Sequence, residues 1–420
     1  MKVVLINKSD STGGAAVVTM RLLNALRNAG VDACMLVCEK RGDSQAVIPA
    51  APKLLIKEKF VLERLKIFME NGFRRDSLFK IDTAAEGLPL WRNRHVREAD
   101  VVCLNWVNQG MLSLNGVDHI LAMGKPVVWT MHDMWNFTGI CHHAGSCRHY
   151  LEKCGCCPLM KNMASANDIS AATWLRKKRV YDGAQGKLHF VAVSNWLADL
   201  ARRSSLIGDE IPLSVIPNAF PIPADMPAGR DDKSRFRILM GAARLDDPVK
   251  GFPLLIKATE ILKRSYPNLS DRMELVTFGG MKDDSNFGKI AINHTHLGVV
   301  RGEHAVERIY RSADVVVSTS LYETLPGTLV EGQVYGCIPV SFSRGGQSDI
   351  VSHRLTGYLA DWSDDEDESA RNIAEGLVWA MSQPGREIRA RMYESAMQKF
   401  EASRVAARYI TLFNSIKQNI

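Results

Sequence analysis

The feature that most constrains this chain is a repeated alternation of a short, uninterrupted apolar run, a polar or glycine-bearing turn, and a helical pattern. Lys2 to Ile6 is the first apolar run and Asn7 to Thr12 is polar. Gly13-Gly14 then opens a helix in which Val17, Val18, Leu22, Ala25, Leu26 and Ala29 recur three and four residues apart until Gly30 closes it. Val31–Val37, Ala99–Leu104, Pro126–Thr130, Phe190–Val193 and Leu213–Ile216 repeat the apolar run. Strands that are apolar along their whole length are buried on both faces, so the pattern predicts a parallel sheet covered by helices on each side.

Between Asn218 and Ser234 the pattern breaks into Pro221, Pro223, Pro227 and Gly229, followed by the charged cluster Arg230-Asp231-Asp232-Lys233, which reads as a linker. Strand-like runs restart at Phe236 to Met240 and continue at Glu274 to Phe278, Val315 to Thr319 and Ile338 to Phe342, again separated by helical stretches such as Leu254 to Leu262. The expected organisation is an α/β domain over residues 1–218 with a cysteine-rich insertion at 139–160, a linker at 219–235 and a second α/β domain over 236–395. The closing stretch from about Glu387 reads as helical, and its last part, 396–420, is expected to pack back on the first domain. The acidic run Asp361 to Glu368 reads as a solvated loop.

A length of 420 residues accommodates two such domains, each with its own core. Apolar residues at 46% and charged residues at 24% are globular proportions, and no apolar run approaches the roughly 20 residues that span a bilayer. The first apolar run is too short for a signal-peptide core, and nine cysteines, an odd number, then point to a reducing cytoplasm. A net charge of +7 favours anionic partners without choosing among them.

In open α/β sheets ligands bind beyond the carboxyl ends of the strands, so functional chemistry is expected in the loops there. Gly13-Gly14 at a helix start lets a phosphate approach backbone N–H groups, or is simply a tight turn. Neither a G-x-G-x-x-G fingerprint nor a P-loop lysine accompanies it. Arg244 and Lys250, on the loop after the strand at 236–240, either converge on a polyanion or are two solvated cations. After Val315–Thr319 comes Glu323, expected in a loop, and then Glu331, expected inside a helix that starts at Pro326 and ends at Gly336. Each glutamate taken singly also reads as a helix-start or surface charge.

Taken together, these residues resemble the retaining glycosyltransferases of family 4. Glu323 and Glu331 match that family's E-x7-E motif, and the likeness runs through Gly13-Gly14, Val215-Ile216-Pro217-Asn218, Arg244, Lys250-Gly251, Leu297-Gly298, Ala313-Asp314 and Gly345-Gly346. The resemblance implies the GT-B fold, with two facing Rossmann-like domains, a cleft between them and a C-terminal crossover helix. It implies transfer of a sugar from a nucleotide-diphosphate donor to a saccharide or lipid-linked saccharide, in surface polysaccharide or capsule assembly, with no metal required for catalysis. Arg244 and Lys250 would neutralise the diphosphate, Glu331 would hold the ribose and Glu323 the sugar hydroxyls. Gly13 and Gly14 would offer backbone to phosphate from the first domain. His132, in Met131-His132-Asp133, would touch the sugar from the acceptor side, the alternative being a structural imidazole. Many relatives have glycine where this chain has Pro326, which lacks an N–H, so Gly327 and Thr328 would supply the amides instead. A nucleotide-sugar epimerase, a zinc-containing nucleic-acid-binding protein and an inactive binding subunit are the alternatives. The dispersed cations and intact motif count against the last two, so no nucleic-acid partner is expected.

Cys141, Cys147, Cys154 and Cys157 form C-x5-C-x6-C-x2-C, a density that suits a structural zinc, a disulfide or free thiols. A similar insertion resembles a bacterial subset of the family. Cys34, Cys38, Cys103 and Cys337 read as buried apolar residues. Residues 53–80 combine Leu54, Leu62, Leu65, Phe68 and Phe73 with eight Lys/Arg against four Asp/Glu. Such a stretch either lies on an acidic membrane face, as a peripheral contact on the inner side of the cell membrane, or turns its apolar side to the core.

Overall fold

The computed structural model describes residues 1–230 and 234–418, so Asp231, Asp232 and Lys233 of the expected linker lie outside the described residues. The chain forms two compact units, Met1–Ala219 with Ala402–Ile420, and Phe220–Glu401.

The first unit holds seven parallel strands: β1 (Lys2–Ser9), β2 (Asp32–Glu39), β3 (Val47–Pro49), β4 (Val101–Leu104), β5 (Val127–Met131), β6 (Leu188–Ala192) and β7 (Leu213–Val215), in the order β3-β2-β1-β4-β5-β6-β7. All but one of the apolar runs read from the sequence occupy the inner strands, where Val3, Leu5, Val101, Cys103 and Val128 are buried, and Leu213–Ile216 forms the edge strand β7. The helices Gly14–Asn28 and Ala402–Gln418 close one face, the second of them through Val405, Tyr409 and Phe413. Tyr409 also shares a hydrogen bond with Thr130 of β5, 3.0 Å apart.

The second unit holds β8 (Phe236–Arg244), β9 (Met273–Gly280), β10 (Asn293–His296), β11 (Val315–Ser318), β12 (Ile338–Phe342) and β13 (Tyr358–Ala360), all parallel, in the order β10-β9-β8-β11-β12-β13. Its core joins Ile238, Leu275, Val315 and Val340 of the sheet to Leu255 and Leu377 of the flanking helices.

Of the expected linker, residues 220–230 are built into this unit. Phe220 N donates to Phe400 O at 2.8 Å, Tyr393 Oη donates to Pro223 O at 2.6 Å, and Arg230 pairs with the nearly buried Asp314 at 2.8 Å. The closing segment is likewise not one helix. It divides at Glu401, an extended residue between the helices Gly385–Phe400 and Ala402–Gln418, and there the chain returns to the first unit. The acidic run is half helix, because Asp365 caps the helix Glu366–Met381 by accepting from Asp367 N at 2.9 Å. Cys103 and Cys337 are buried as expected, whereas Cys34 and Cys38 on β2 are only half-buried. Among the described residues no helix is long and apolar enough to cross a membrane.

Candidate functional site

In the second unit the chain leaves β8 toward β9 and β10 and returns on the other side at β11, so the loops after β8 and β11 part at a topological switch point, the place where open α/β sheets bind ligands. Lys250 follows β8 and Glu323 follows β11, and at this point Lys250 Nζ lies 2.7 Å from Glu323 Oε1. The two loops are also joined by backbone. Thr319 Oγ1 donates to Lys250 O at 3.0 Å, and Leu321 N donates to Val249 O at 2.8 Å. Gly346, after β12, adds a third strand-end loop by donating its N–H to Glu323 O at 2.9 Å.

Gly251 makes this junction possible, since its φ is +62° and a Cβ there would stand 2.1 Å from Thr319 O. Gly251→Ala is therefore expected to push the loops apart and to abolish stabilisation by a bound nucleotide. Thermal melts with and without nucleotide would measure this, and an unchanged response would show that the junction does not matter.

Arg244 is the last residue of β8 rather than a loop residue, and its half-exposed guanidinium grips Asp246, Nε lying 2.9 Å from Oδ1. That contact holds the Asp246 carboxyl below its ordinary pKa. Glu331 lies inside the helix Gly327–Val334 and accepts a hydrogen bond from the buried Tyr310 hydroxyl at 3.2 Å. Pro326 occupies the capping position before that helix, so Gly327 and Thr328 are its first two residues. Their N–H groups belong to the first turn, which has no intrahelical acceptors.

In the first unit the switch point falls between β1 and β4, and it too is laced together: Trp106 N donates to Asn7 Oδ1 at 3.0 Å and Lys8 Nζ to Gln109 O at 3.0 Å. Gly13 caps the helix Gly14–Asn28 with φ +88°, a conformation that favours glycine, and a Cβ at Gly13 or Gly14 would meet nothing within 4 Å. The start of this long helix is thus open to a ligand. His132 follows β5 directly, with Nε2 3.1 Å from Asn105 Oδ1. Burial pushes its imidazole down to about 4 despite the neighbouring Asp133, so it is neutral at physiological pH.

Beside His132 runs a buried chain of alternating charge that sequence reading missed. Asp133 Oδ2 accepts from Trp106 Nε1 at 2.9 Å and lies 2.7 Å from His142 Nδ1. His142 Nε2 lies 3.1 Å from Asp82 Oδ2, while Asp82 Oδ1 pairs with Arg64 and accepts from Gln109 N at 3.1 Å. Burial opposes the charge on His142, but the two carboxylates outweigh it and raise the pKa well above the ordinary imidazole range. Asp133 is held low in return: burial works against its charge, and His142 and the Trp135 N–H overcome that. Only the adjacency of Asp133 to His132 could have pointed to this network.

Cys141, Cys147, Cys154 and Cys157 line one small cavity of about 20 Å³ with Thr138, His149 and Tyr150. All are free thiols, and burial pushes Cys154 up to about 11 and Cys141 to about 12. The buried Lys177 amine, its pKa pulled down by burial to about 7, donates to the carbonyls of Trp135 and Thr138 and sits 3.4 Å over the Trp135 ring. Among the described residues no group of three or more His, Cys, Asp or Glu side chains is disposed to hold a metal ion.

Comparison with known proteins agrees with this architecture. The profile of Glycosyltransferase Family 4 matches residues 12–222, and that of Glycosyl transferases group 1 matches residues 229–399. A D-inositol 3-phosphate glycosyltransferase of Pseudarthrobacter chlorophenolicus is 24% identical over 85% of this chain and 81% of its own length. An uncharacterized glycosyltransferase of Methanocaldococcus jannaschii is 30% identical over 24% of this chain, a stretch amounting to 28% of the archaeal protein. Among solved structures, HepE of Anabaena in complex with UDP and glucose superposes with a TM-score of 0.60 at 15% identity, over 99% of this chain and 100% of that one. This last likeness shows the fold, two Rossmann-like α/β domains of the GT-B type. Neither an epimerase nor a nucleic-acid-binding protein is favoured by these likenesses.

Proposed function

The chain belongs to glycosyltransferase family 4, and from that premise we propose that it moves a sugar from a nucleotide-diphosphate donor to a hydroxyl of a saccharide or lipid-linked saccharide, with retention of anomeric configuration, in surface polysaccharide assembly. The observation that carries this reading is the contact of Lys250 with Glu323 at the switch point of the second sheet. In the proposed reaction Arg244 and Lys250 face the diphosphate and stabilise the charge that builds there as the anomeric C–O bond breaks. Glu323, released from Lys250 by the donor, orients sugar hydroxyls, and Glu331 receives the ribose. The N–H groups of Gly327 and Thr328, and the helix start at Gly13 and Gly14, meet phosphate oxygens. The acceptor oxygen attacks the face that the phosphate leaves, a phosphate oxygen takes its proton, and the nucleoside diphosphate departs. His132, neutral, hydrogen-bonds the sugar from the acceptor side.

The UDP and glucose bound by the Anabaena protein support a nucleotide-sugar donor here. The test is an assay for nucleoside diphosphate release, run over a panel of nucleotide sugars with saccharide and lipid-linked acceptors. Acceptor-dependent release supports the proposal, and release without acceptor and with donor epimerised contradicts it. A structural zinc on Cys141, Cys147, Cys154 and Cys157 is part of the same proposal. It would require the four thiols to close in from the cavity walls, and elemental analysis tests it, one zinc per chain supporting it and none removing it.

A further inference from the structure

The helix Lys53–Glu70 packs in an unusual sense. Its buried residues are Glu63, Arg64 and Ile67, two of them charged. Those charges are satisfied: Glu63 accepts from the N–H groups of Thr83, Ala85 and Glu86, and Arg64 pairs with Asp82. The helix therefore spends a charged face on the protein interior and presents an apolar one to solvent. Leu54, Val61, Leu65 and Met69 recur at seven- and four-residue spacing, which puts them on one stripe opposite Glu63 and Ile67, and all four are exposed, Leu54 to 79%. Phe73, 69% exposed and edge-on to Phe68, and Phe79, beside the Arg64 guanidinium, add exposed apolar surface beyond the helix end. Among the described residues, half of all exposed large apolar side chains fall within 54–79. A concentration of this kind on one face marks a contact surface rather than scatter.

Charge identifies the occupant. Lys53, Lys57, Arg75 and Lys80 are exposed around the stripe, and among the described residues none of them has an acidic partner. The exposed carboxylates of the same stretch each have a cation nearby: Glu70 has Lys66, Asp76 has Arg74 and Lys161, and Glu58 lies 4.0 Å from Lys59, which Glu86 shares at 2.9 Å. A second copy of this chain docked symmetrically would bring these cations face to face, which opposes association. An anionic surface with an apolar layer beneath it satisfies both parts. We propose that the exposed face of Lys53–Glu70, with Phe73 and Phe79, docks on an anionic lipid bilayer, the helix of about 27 Å lying flat in the interface.

The inner side of this helix gives the docking a use. Arg64 ends the charged chain that reaches Asp133 beside His132, and Lys8, at the end of β1, lies 5.4 Å over the Phe60 ring. One hydrogen-bonded layer thus separates the lipid-facing stripe from the carboxyl ends of β4 and β5. Resting on the transferase reading, this names the acceptor class: a saccharide carried on a membrane lipid, delivered from the bilayer side.

The test is flotation of the full-length protein with vesicles of phosphatidylcholine, alone or with roughly a third phosphatidylglycerol. Binding to the anionic vesicles and not to the neutral ones is expected. Leu65→Glu with Met69→Glu, or Lys53→Glu with Lys57→Glu, is expected to lower the bound fraction by about tenfold or more, the second pair in a salt-dependent way. All four side chains are exposed or half-exposed, so the variants should keep the wild-type melting temperature and its response to nucleotide. No flotation of the wild type, or flotation unaffected by the four substitutions, overturns the proposal. So does a dimer in sedimentation that Leu65→Glu dissolves without any vesicle binding, since it hands the face to a second copy. Loss of the nucleotide response in a chain that still floats counts against the transferase reading and not against the surface.

Discussion

Glu323→Gln and Lys250→Met are each expected to lower the turnover of sugar transfer by about two to three orders of magnitude, the effect of removing a group that meets charge developing in a transition state. Stability should hardly move. Lys250 is 28% and Glu323 19% exposed, an ion pair so placed contributes little to folding, and the loops that carry it are joined by contacts from Thr319, Leu321 and Gly346 that survive both substitutions. The two variants should differ in kind. Lys250→Met removes the cation and should weaken nucleotide affinity as well as turnover, whereas Glu323→Gln keeps the nucleotide affinity and loses turnover. Steady-state kinetics with varied donor separates the two, and near-normal turnover in both would sink the site assignment.

Asp82→Ala should be the most destabilising single change in the first unit, at about 3–5 kcal/mol, because it strands the buried Arg64 without its counter-charge and takes one of two carboxylates from His142. Denaturant unfolding of wild type, Asp82→Ala, Arg64→Met and the double variant measures it, and the double variant should recover part of the loss. The same network makes stability depend on pH. The folded pKa of His142 lies above its unfolded value, so its stabilising contribution is complete below the ordinary imidazole pKa and disappears as the pH rises through the raised value. Melting temperature should therefore fall from neutral to alkaline pH, and His142→Asn should flatten that slope. A wild-type melting temperature that is level up to pH values above the raised pKa would contradict the charge assignment.

How much of this was legible in the sequence varied with the range of the interactions. The central strands β1, β2, β4, β5, β8, β11 and β12 are continuous apolar runs, and burial on both faces writes itself into composition. The edge strands β3, β10 and β13 were missed: β3 and β13 have only three residues, and β10 reads Asn-His-Thr-His, because a strand paired on one side and partly exposed has no need of apolar residues. The candidate site residues were found because loops after strands are local features marked by glycine and charge. The pairing of Arg64 with Asp82, His142 and Asp133 was not, since it joins a helix, a loop and an insertion that only tertiary structure brings together. The orientation of Lys53–Glu70 stayed open between core and surface for a related reason. Hydrophobic periodicity assigns the apolar face to the core, and here partners for Glu63 and Arg64 reverse the choice.

The central claim, that the chain binds and uses a nucleotide-diphosphate sugar, is tested most directly by the melting temperature of the purified protein across a panel of nucleotides and nucleotide sugars. A ligand at about a hundred times its Kd adds about 2.7 kcal/mol to folding, which is a shift of several degrees. The account predicts such a shift with at least one diphosphate sugar, larger than with the corresponding nucleoside alone and lost in Lys250→Met. A folded wild-type protein that responds to no member of the panel, or whose response survives Lys250→Met, would contradict it.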